Sequence, residues 1–68
     1  MLSNFEVLEG GRRVALEAAA TAHDALHEYL RAIGCRDADI VRLAPNAAAW
    51  RGAVYRAVPA AATDLRVA

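Results

Sequence analysis

Residues 4–17 read NFEVLEGGRRVALE, two segments of alternating polarity on either side of a Gly-Gly pair. Glycine readily reaches the positive φ values that a two-residue hairpin turn requires, so the pair marks a turn. Strands that fold back at this point place residues of one face opposite each other. The hairpin therefore predicts two apolar cross-strand pairs: Val7 with Val14 and Phe5 with Leu16.

The other face of this predicted hairpin is mixed in polarity. It collects four residues from the two strands: Glu6, Leu8, Arg13 and Ala15. A ribbon that is apolar on one face and mixed on the other is typical of a sheet buried on one side only. We therefore expect the apolar face to lie against the rest of the domain.

A helix is predicted after the hairpin. Thr21 is placed to cap it, Asp24 stands at the capping-box position three residues later, and Gly34 provides the stop after Ile33. The apolar positions form one stripe at helical spacing: Ala22, Leu26, Tyr29, Leu30 and Ile33. Polar residues occupy the opposite side: His23, Asp24, His27, Glu28 and Arg31.

Two further strands are predicted in the second half of the chain. Residues 39–43 and 49–58 are rich in strand-forming residues, a turn is expected at residues 45–46, and Pro59 ends the second strand. A four-residue loop over residues 45–48 predicts Leu43 opposite Trp50 and Val41 opposite Gly52, whereas a two-residue loop changes these pairs. The longer loop gives one apolar core face: Val41, Leu43, Trp50, Val54 and Val58.

The predicted fold class is therefore α+β, with the element order ββαββ. We expect a four-stranded, mostly antiparallel sheet with one helix packed on one face. Residues 1–59 form the predicted single domain, and residues 60–68 are expected to be a flexible C-terminal tail. A short helix behind Pro59 is the alternative for this segment.

Length and composition favour a small protein that associates with a partner. A chain of 68 residues buries only about 60% of the surface that its unfolded form exposes. One cysteine, Cys35, excludes an intramolecular disulfide and fits a reducing compartment, and no Cys/His framework suggests a structural zinc. Oligomerisation is the remaining source of stability, and we expect a homodimer. The chain has no signal peptide and no apolar run of roughly 20 residues, which predicts a cytoplasmic protein.

No set of residues predicts catalysis, a cofactor or a metal. His23 and His27 stand at i, i+4 on the polar side of the helix, but a zinc site needs further protein ligands. Cys35 follows the helix C-terminus, where the helix dipole disfavours a thiolate, so we expect it to pack inertly. Glycine-rich phosphate loops and Ser/His/Asp sets have no convincing candidates. We therefore predict that the protein is not an enzyme.

The arginines provide the candidate binding residues. All eight basic residues are arginine, a composition typical of a GC-rich genome, and the formal net charge is zero. The face of the sheet away from the helix is predicted to carry four candidate partner-binding residues: Arg13, Arg42, Arg51 and Tyr55. An arginine fork suits carboxylate or phosphate contacts, and Arg42 opposite Arg51 would favour an anionic partner.

The expected function is a non-enzymatic protein-interaction module that binds another macromolecule. The predicted layout is similar to that of several small phage-encoded proteins, including some anti-CRISPR inhibitors that occupy a partner's surface, and this similarity implies an inhibitor or adaptor. The alternative is a small nucleic-acid-binding protein that uses the arginine-bearing sheet face. A chain that binds phosphates normally carries an excess of positive charge, and this one does not.

Overall fold

A computed structural model describes residues 2–60. Its elements follow the chain in this order: β1 (Ser3–Glu9), β2 (Arg12–Ala19), α1 (Ala22–Ala32), a 3₁₀ turn (Asp37–Asp39), β3 (Val41–Ala44), β4 (Ala47–Trp50) and β5 (Ala53–Pro59). The strands form one sheet in the order β2-β1-β5-β4-β3, and every neighbouring pair is antiparallel. The α+β class is confirmed, but the sheet has five strands where the sequence predicts four.

The first hairpin forms at the predicted turn, with a different register beyond its middle. A β-bulge at Val14 gives β2 one extra residue, so Val7 pairs with Ala15 and Phe5 pairs with Glu17. Val14 and Ala15 both pack against the core, whereas Leu16 pairs with Glu6 on the other face. The prediction that Leu16 lies in the core is wrong because one inserted residue reverses every side chain after it.

The predicted limits of α1 are confirmed. The Thr21 side chain accepts a hydrogen bond of 3.1 Å from the Asp24 main-chain N–H, which caps the first turn. At the other end, Gly34 has φ +104°, and its N–H and that of Cys35 donate to the carbonyls of Arg31 and Leu30 at 3.1 and 2.9 Å. These two bonds satisfy carbonyls that the helix end would otherwise leave unpaired.

The largest difference from the sequence prediction lies in residues 49–58. They do not form one strand, because the chain reverses at Arg51 and Gly52, which have φ values of +54° and +80°. Positive φ at both central residues is the geometry of a tight two-residue hairpin, and Gly52 adopts it without a Cβ penalty. The turn at residues 45–46 is likewise the two-residue alternative, which sets Val41 opposite Ala49.

The second hairpin also reverses part of the predicted core face. Trp50 packs against the core as predicted, but Val41, Leu43 and Val54 are exposed. Tyr55 and Ala57 occupy the buried positions instead. The predicted alternation is wrong because residues 51 and 52 leave the strand and reset which residues face α1.

The core lies between α1 and one face of the sheet. Its buried members come from every layer: Phe5, Val7, Ala19, Ala25, Leu26, Leu30, Cys35, Ala48, Tyr55 and Ala57. Of the predicted tail, Ala60 donates a main-chain hydrogen bond of 3.0 Å to the Asn4 carbonyl, which extends the sheet by one residue. Residues 61–68, the rest of that prediction, lie outside the described residues.

Candidate interaction surface

The sheet has a second face that α1 does not cover. The strand pairings assign residues of β2, β1, β5, β4 and β3 to it, and we call the ten of them at its centre the open face: Leu16, Glu6, Val58, Arg13, Leu8, Arg56, Ala47, Val54, Ala49 and Val41. They belong together because paired residues of neighbouring strands point to the same side. The bulge at Val14 and the turn at Arg51 and Gly52 decide this membership.

Large apolar side chains remain exposed on the open face. Leu16 and Val41 are each 58% exposed and Val54 is 43% exposed. Single exposed apolar residues are ordinary, but several on one sheet face, together with charged residues, are typical of a surface that binds another macromolecule. The open face therefore has the composition of an interaction surface.

Among residues 2–60, only one of the two arginines of the open face has an ion-pair partner. Arg13 Nη1 lies 3.1 Å from Glu6 Oε2, so these two residues neutralise each other. Arg56 lies between Leu8 and Ala47 in the register and has no ion-pair partner among residues 2–60. The open face thus presents one unpaired guanidinium, a planar group suited to bidentate binding of a carboxylate, in apolar surroundings.

A shallow cleft adjoins this arginine. Its walls are Leu8, Val54, Arg56 and the two glycines of the first turn, and its volume is about 390 Å³. The Gly10 N–H donates a hydrogen bond of 3.1 Å to the Val54 carbonyl, which fixes the turn against β5 at one end of the cleft. The cleft can accept an apolar side chain and place an adjacent acidic group within reach of Arg56.

The structure does not bring the four predicted binding residues together. Only Arg13 lies on the open face. Arg42 pairs with Ala48 on the α1 side of the sheet, so the prediction that it stands opposite Arg51 is wrong. Arg51 lies in the turn, with its guanidinium carbon 5.3 Å from the centre of the Trp50 ring.

Tyr55, the fourth predicted residue, belongs to the core. It is 5% exposed, and its hydroxyl donates a hydrogen bond of 3.2 Å to Glu9 Oε2. Burial, followed by the hydrogen bond and charge of Glu9, raises the pKa of the Tyr55 phenol. The prediction that Tyr55 lies on the other face is wrong because residues 49–58 belong to two strands, β4 and β5, and not to one.

Arg42 instead contacts the helix. Its Nη2 atom lies 2.5 Å from His23 Nδ1 and 2.7 Å from His23 Nε2. The His23 ring packs edge-on against that of His27 with 4.3 Å between centroids. Partial burial, then the charges of Arg42 and His27, lower the pKa of His23 from its ordinary value of 6.5, against an opposing effect of Asp24. A neutral His23 is the form that accepts a hydrogen bond from the guanidinium.

The thiol of Cys35 and the possible metal ligands are the remaining reactive groups of the described residues. Cys35 packs in the core, and burial, aided by Asp39 and Asp37, raises the pKa of its thiol. Within residues 2–60 no three His, Cys, Asp or Glu side chains are grouped closely enough to hold a metal ion. In the same part of the chain, no helix has the length and apolar character needed to cross a membrane.

Sequence reasoning missed the central residue of the open face, Arg56, and two of its apolar neighbours. The sequence pattern predicts core positions for Val54 and Val58, but these residues alternate with the buried Tyr55 and Ala57. The available signal was Gly52, since glycine inside an apparent strand often marks a turn or a bulge.

Comparison with protein-family models, with curated proteins and with solved structures finds no match for this chain.

Proposed function

We propose that this protein is a non-enzymatic interaction module that binds another protein through its open face. The supporting observation is that exposed Val41 and Val54 lie in one row of the open face beside its central arginine, Arg56, which lacks an ion pair among residues 2–60. Apolar side chains supply binding free energy when they lose contact with water, and a charged group selects the orientation of the partner.

The partner we propose is a protein surface with an apolar side chain next to a carboxylate. The apolar side chain would fill the cleft between Leu8 and Val54, and the carboxylate would pair with Arg56. Such a partner gives the arginine two parallel hydrogen bonds in a setting with little water. The module would act by occupying that surface, in the manner of a phage-type inhibitor or an adaptor.

We also propose that the module acts as a homodimer in a reducing compartment such as the cytoplasm. A single buried thiol, Cys35, is consistent with that compartment. Dimerisation adds buried surface to a domain whose own core is small.

Photo-crosslinking in cells of the native host tests the proposed partner surface. A photoreactive amino acid at Val54 should give one discrete heterologous adduct, and the additional change Arg56→Glu should remove it. The same amino acid at Arg31, an exposed position on α1, is the matched control and should not give that adduct. Equal labelling from both positions, or no heterologous adduct from Val54, would contradict the proposal.

The alternative function is a small nucleic-acid-binding protein. The observation in its favour is that Arg13 and Arg56 share the open face with only one carboxylate, Glu6. Fluorescence anisotropy with labelled single-stranded and double-stranded oligonucleotides separates the two functions. A nucleic-acid binder would lose affinity steeply as salt rises and would be weakened by Arg56→Glu. We expect negligible binding at physiological salt, because the chain has no net charge.

A further inference from the structure

We propose that two copies of this chain join edge to edge through β2, so that the two sheets form one continuous ten-stranded sheet. This inference rests on the proposed homodimer and specifies its interface. β2 is the first strand in the sheet order, and no other strand of residues 2–60 pairs with its outer side. An uncovered edge of 8 residues offers unpaired main-chain groups to a second strand.

The register of β1 and β2 determines which main-chain groups point outward. A two-residue turn closes on a hydrogen-bonded pair, here Glu9 with Arg12, and the pairs of an antiparallel ladder then alternate. Arg13 pairs with Leu8 at a position without ladder bonds, and beyond the bulge Leu16 pairs with Glu6 in the same way. We infer that Arg13 and Leu16 turn their N–H and C=O groups toward the outer side.

The bulge restricts how two copies of β2 can pair. Val14 and Ala15 both face the core side, so the usual alternation is interrupted between them. Two copies of β2 that pair antiparallel are related by a two-fold axis. When the pairing spans this interruption, directly opposed residues lie on the same face only if that axis passes between Val14 and Ala15. A shift of one residue in either direction opposes core-side and open-face residues.

This register also pairs the outward main-chain groups of the two strands and places opposite charges next to each other. It sets Val14 opposite Ala15 of the second copy, and it sets Arg13 opposite Leu16 of the second copy, where both have outward main-chain groups. It sets Arg12 opposite Glu17 of the second copy, and by symmetry the same ion pair forms again on the other side of the axis. Arg12 and Glu17 are free to form it, because neither has an ion pair or side-chain hydrogen bond within residues 2–60.

The surroundings of Glu17 suit an incoming arginine. Glu17 lies in a groove of about 440 Å³ between the end of β2 and α1, together with two other carboxylates, Asp24 and Glu28, and with His27 and Arg31. The side chain of Arg12 from the second copy would enter this groove from the edge. The partner copy thus completes a site whose three carboxylates outnumber its basic side chains, Arg31 and His27, and the open face stays free for a different protein.

Charge reversal tests the interface. Sedimentation velocity across a concentration series compares the wild-type chain with Arg12→Glu, Glu17→Arg and the double variant. We expect a wild-type dimer at micromolar concentration, a dimer dissociation constant at least tenfold higher for each single variant, and recovery in the double variant. Arg51→Glu makes the same change of charge in the distant β4-β5 turn and should leave the dissociation constant unchanged.

Other outcomes overturn the edge pairing while leaving the open-face function separately testable. A chain that stays monomeric throughout the series excludes the dimer, whereas the crosslink from Val54 would still report on partner binding. Dissociation caused by Val54→Asp but not by Arg12→Glu would place the dimer contact on the open face. Failure of the double variant to recover, with circular dichroism unchanged from wild type, would rule out the ion pair between Arg12 and Glu17.

Discussion

Replacing Gly52 with L-alanine and with D-alanine tests the feature that most changes the fold, the turn at residues 51–52. Gly52 has φ +80°, and a Cβ built on it meets no atom within 4 Å. Steric contact with the rest of the domain therefore does not contribute to the stability change caused by either alanine. An L-residue held in this left-handed region costs about 1–2 kcal/mol. A D-residue suits the same φ and stabilises by about 0.4–1 kcal/mol, because it restricts the unfolded chain.

Two chains of identical composition should therefore differ by roughly 1.5–3 kcal/mol in unfolding free energy, with the D-alanine chain the more stable. In a domain of this size 1 kcal/mol shifts the melting temperature by about 4–8 °C, so the two midpoints should lie at least ~6 °C apart. If residues 49–58 formed one continuous strand, the L-alanine chain would instead be the more stable of the two. There, L-alanine would stabilise by about 0.5–1 kcal/mol relative to glycine, and D-alanine would destabilise.

The chain suits the chemical synthesis that this experiment needs. Gly34 followed by Cys35, the single cysteine, gives a ligation junction at the middle of the sequence. Urea denaturation followed by circular dichroism then measures each unfolding free energy. D-alanine in place of Ala49, an extended position in β4, is the matched control and should destabilise. An L-alanine chain at position 52 that is as stable as wild type would refute the hairpin.

Three further outcomes are expected. Leu30→Ala should lower the unfolding free energy by about 2–5 kcal/mol in urea, since Leu30 is 0% exposed, whereas Leu16→Ala, at a site 58% exposed, should cost less than about 1 kcal/mol; equal costs would contradict the bulged register. Thr21→Ala should cost about 1 kcal/mol in the same assay through loss of the helix cap, and Thr21→Ser should restore it. The folded state lowers the pKa of His23, so neutral His23 beside Arg42 contributes to the unfolding free energy above pH 6.5. This contribution is lost as pH falls from 6.5 through the pKa of the folded state. Thermal melts across this window should show a decline in melting temperature, and His23→Gln should reduce that decline.

Local signals in the sequence determined the elements that depend on a few adjacent residues. The Gly-Gly turn of the first hairpin, the Thr21 cap and the Gly34 stop all form as predicted, because each depends on the φ preference or hydrogen-bonding group of one residue. The apolar stripe that includes Leu26 and Leu30 likewise identified the buried side of α1. One helix against a sheet, and hence the α+β class, follows from these signals.

The tertiary structure decided register, strand number and the identity of the open face. The bulge at Val14 sends Leu16 to the open face, and the reversal at Arg51 and Gly52 exposes Val54 and buries Tyr55. The bulge has no strong local signal, because an apolar strand of alternating residues satisfies either register. The reversal has only Gly52 as a signal, since arginine is not a preferred residue at positive φ. The choice depends on which side chains fill the space under α1 once all five strands are paired. That comparison involves contacts between residues distant in the sequence, so a pattern read along the chain supplies the elements but not the side that each residue faces.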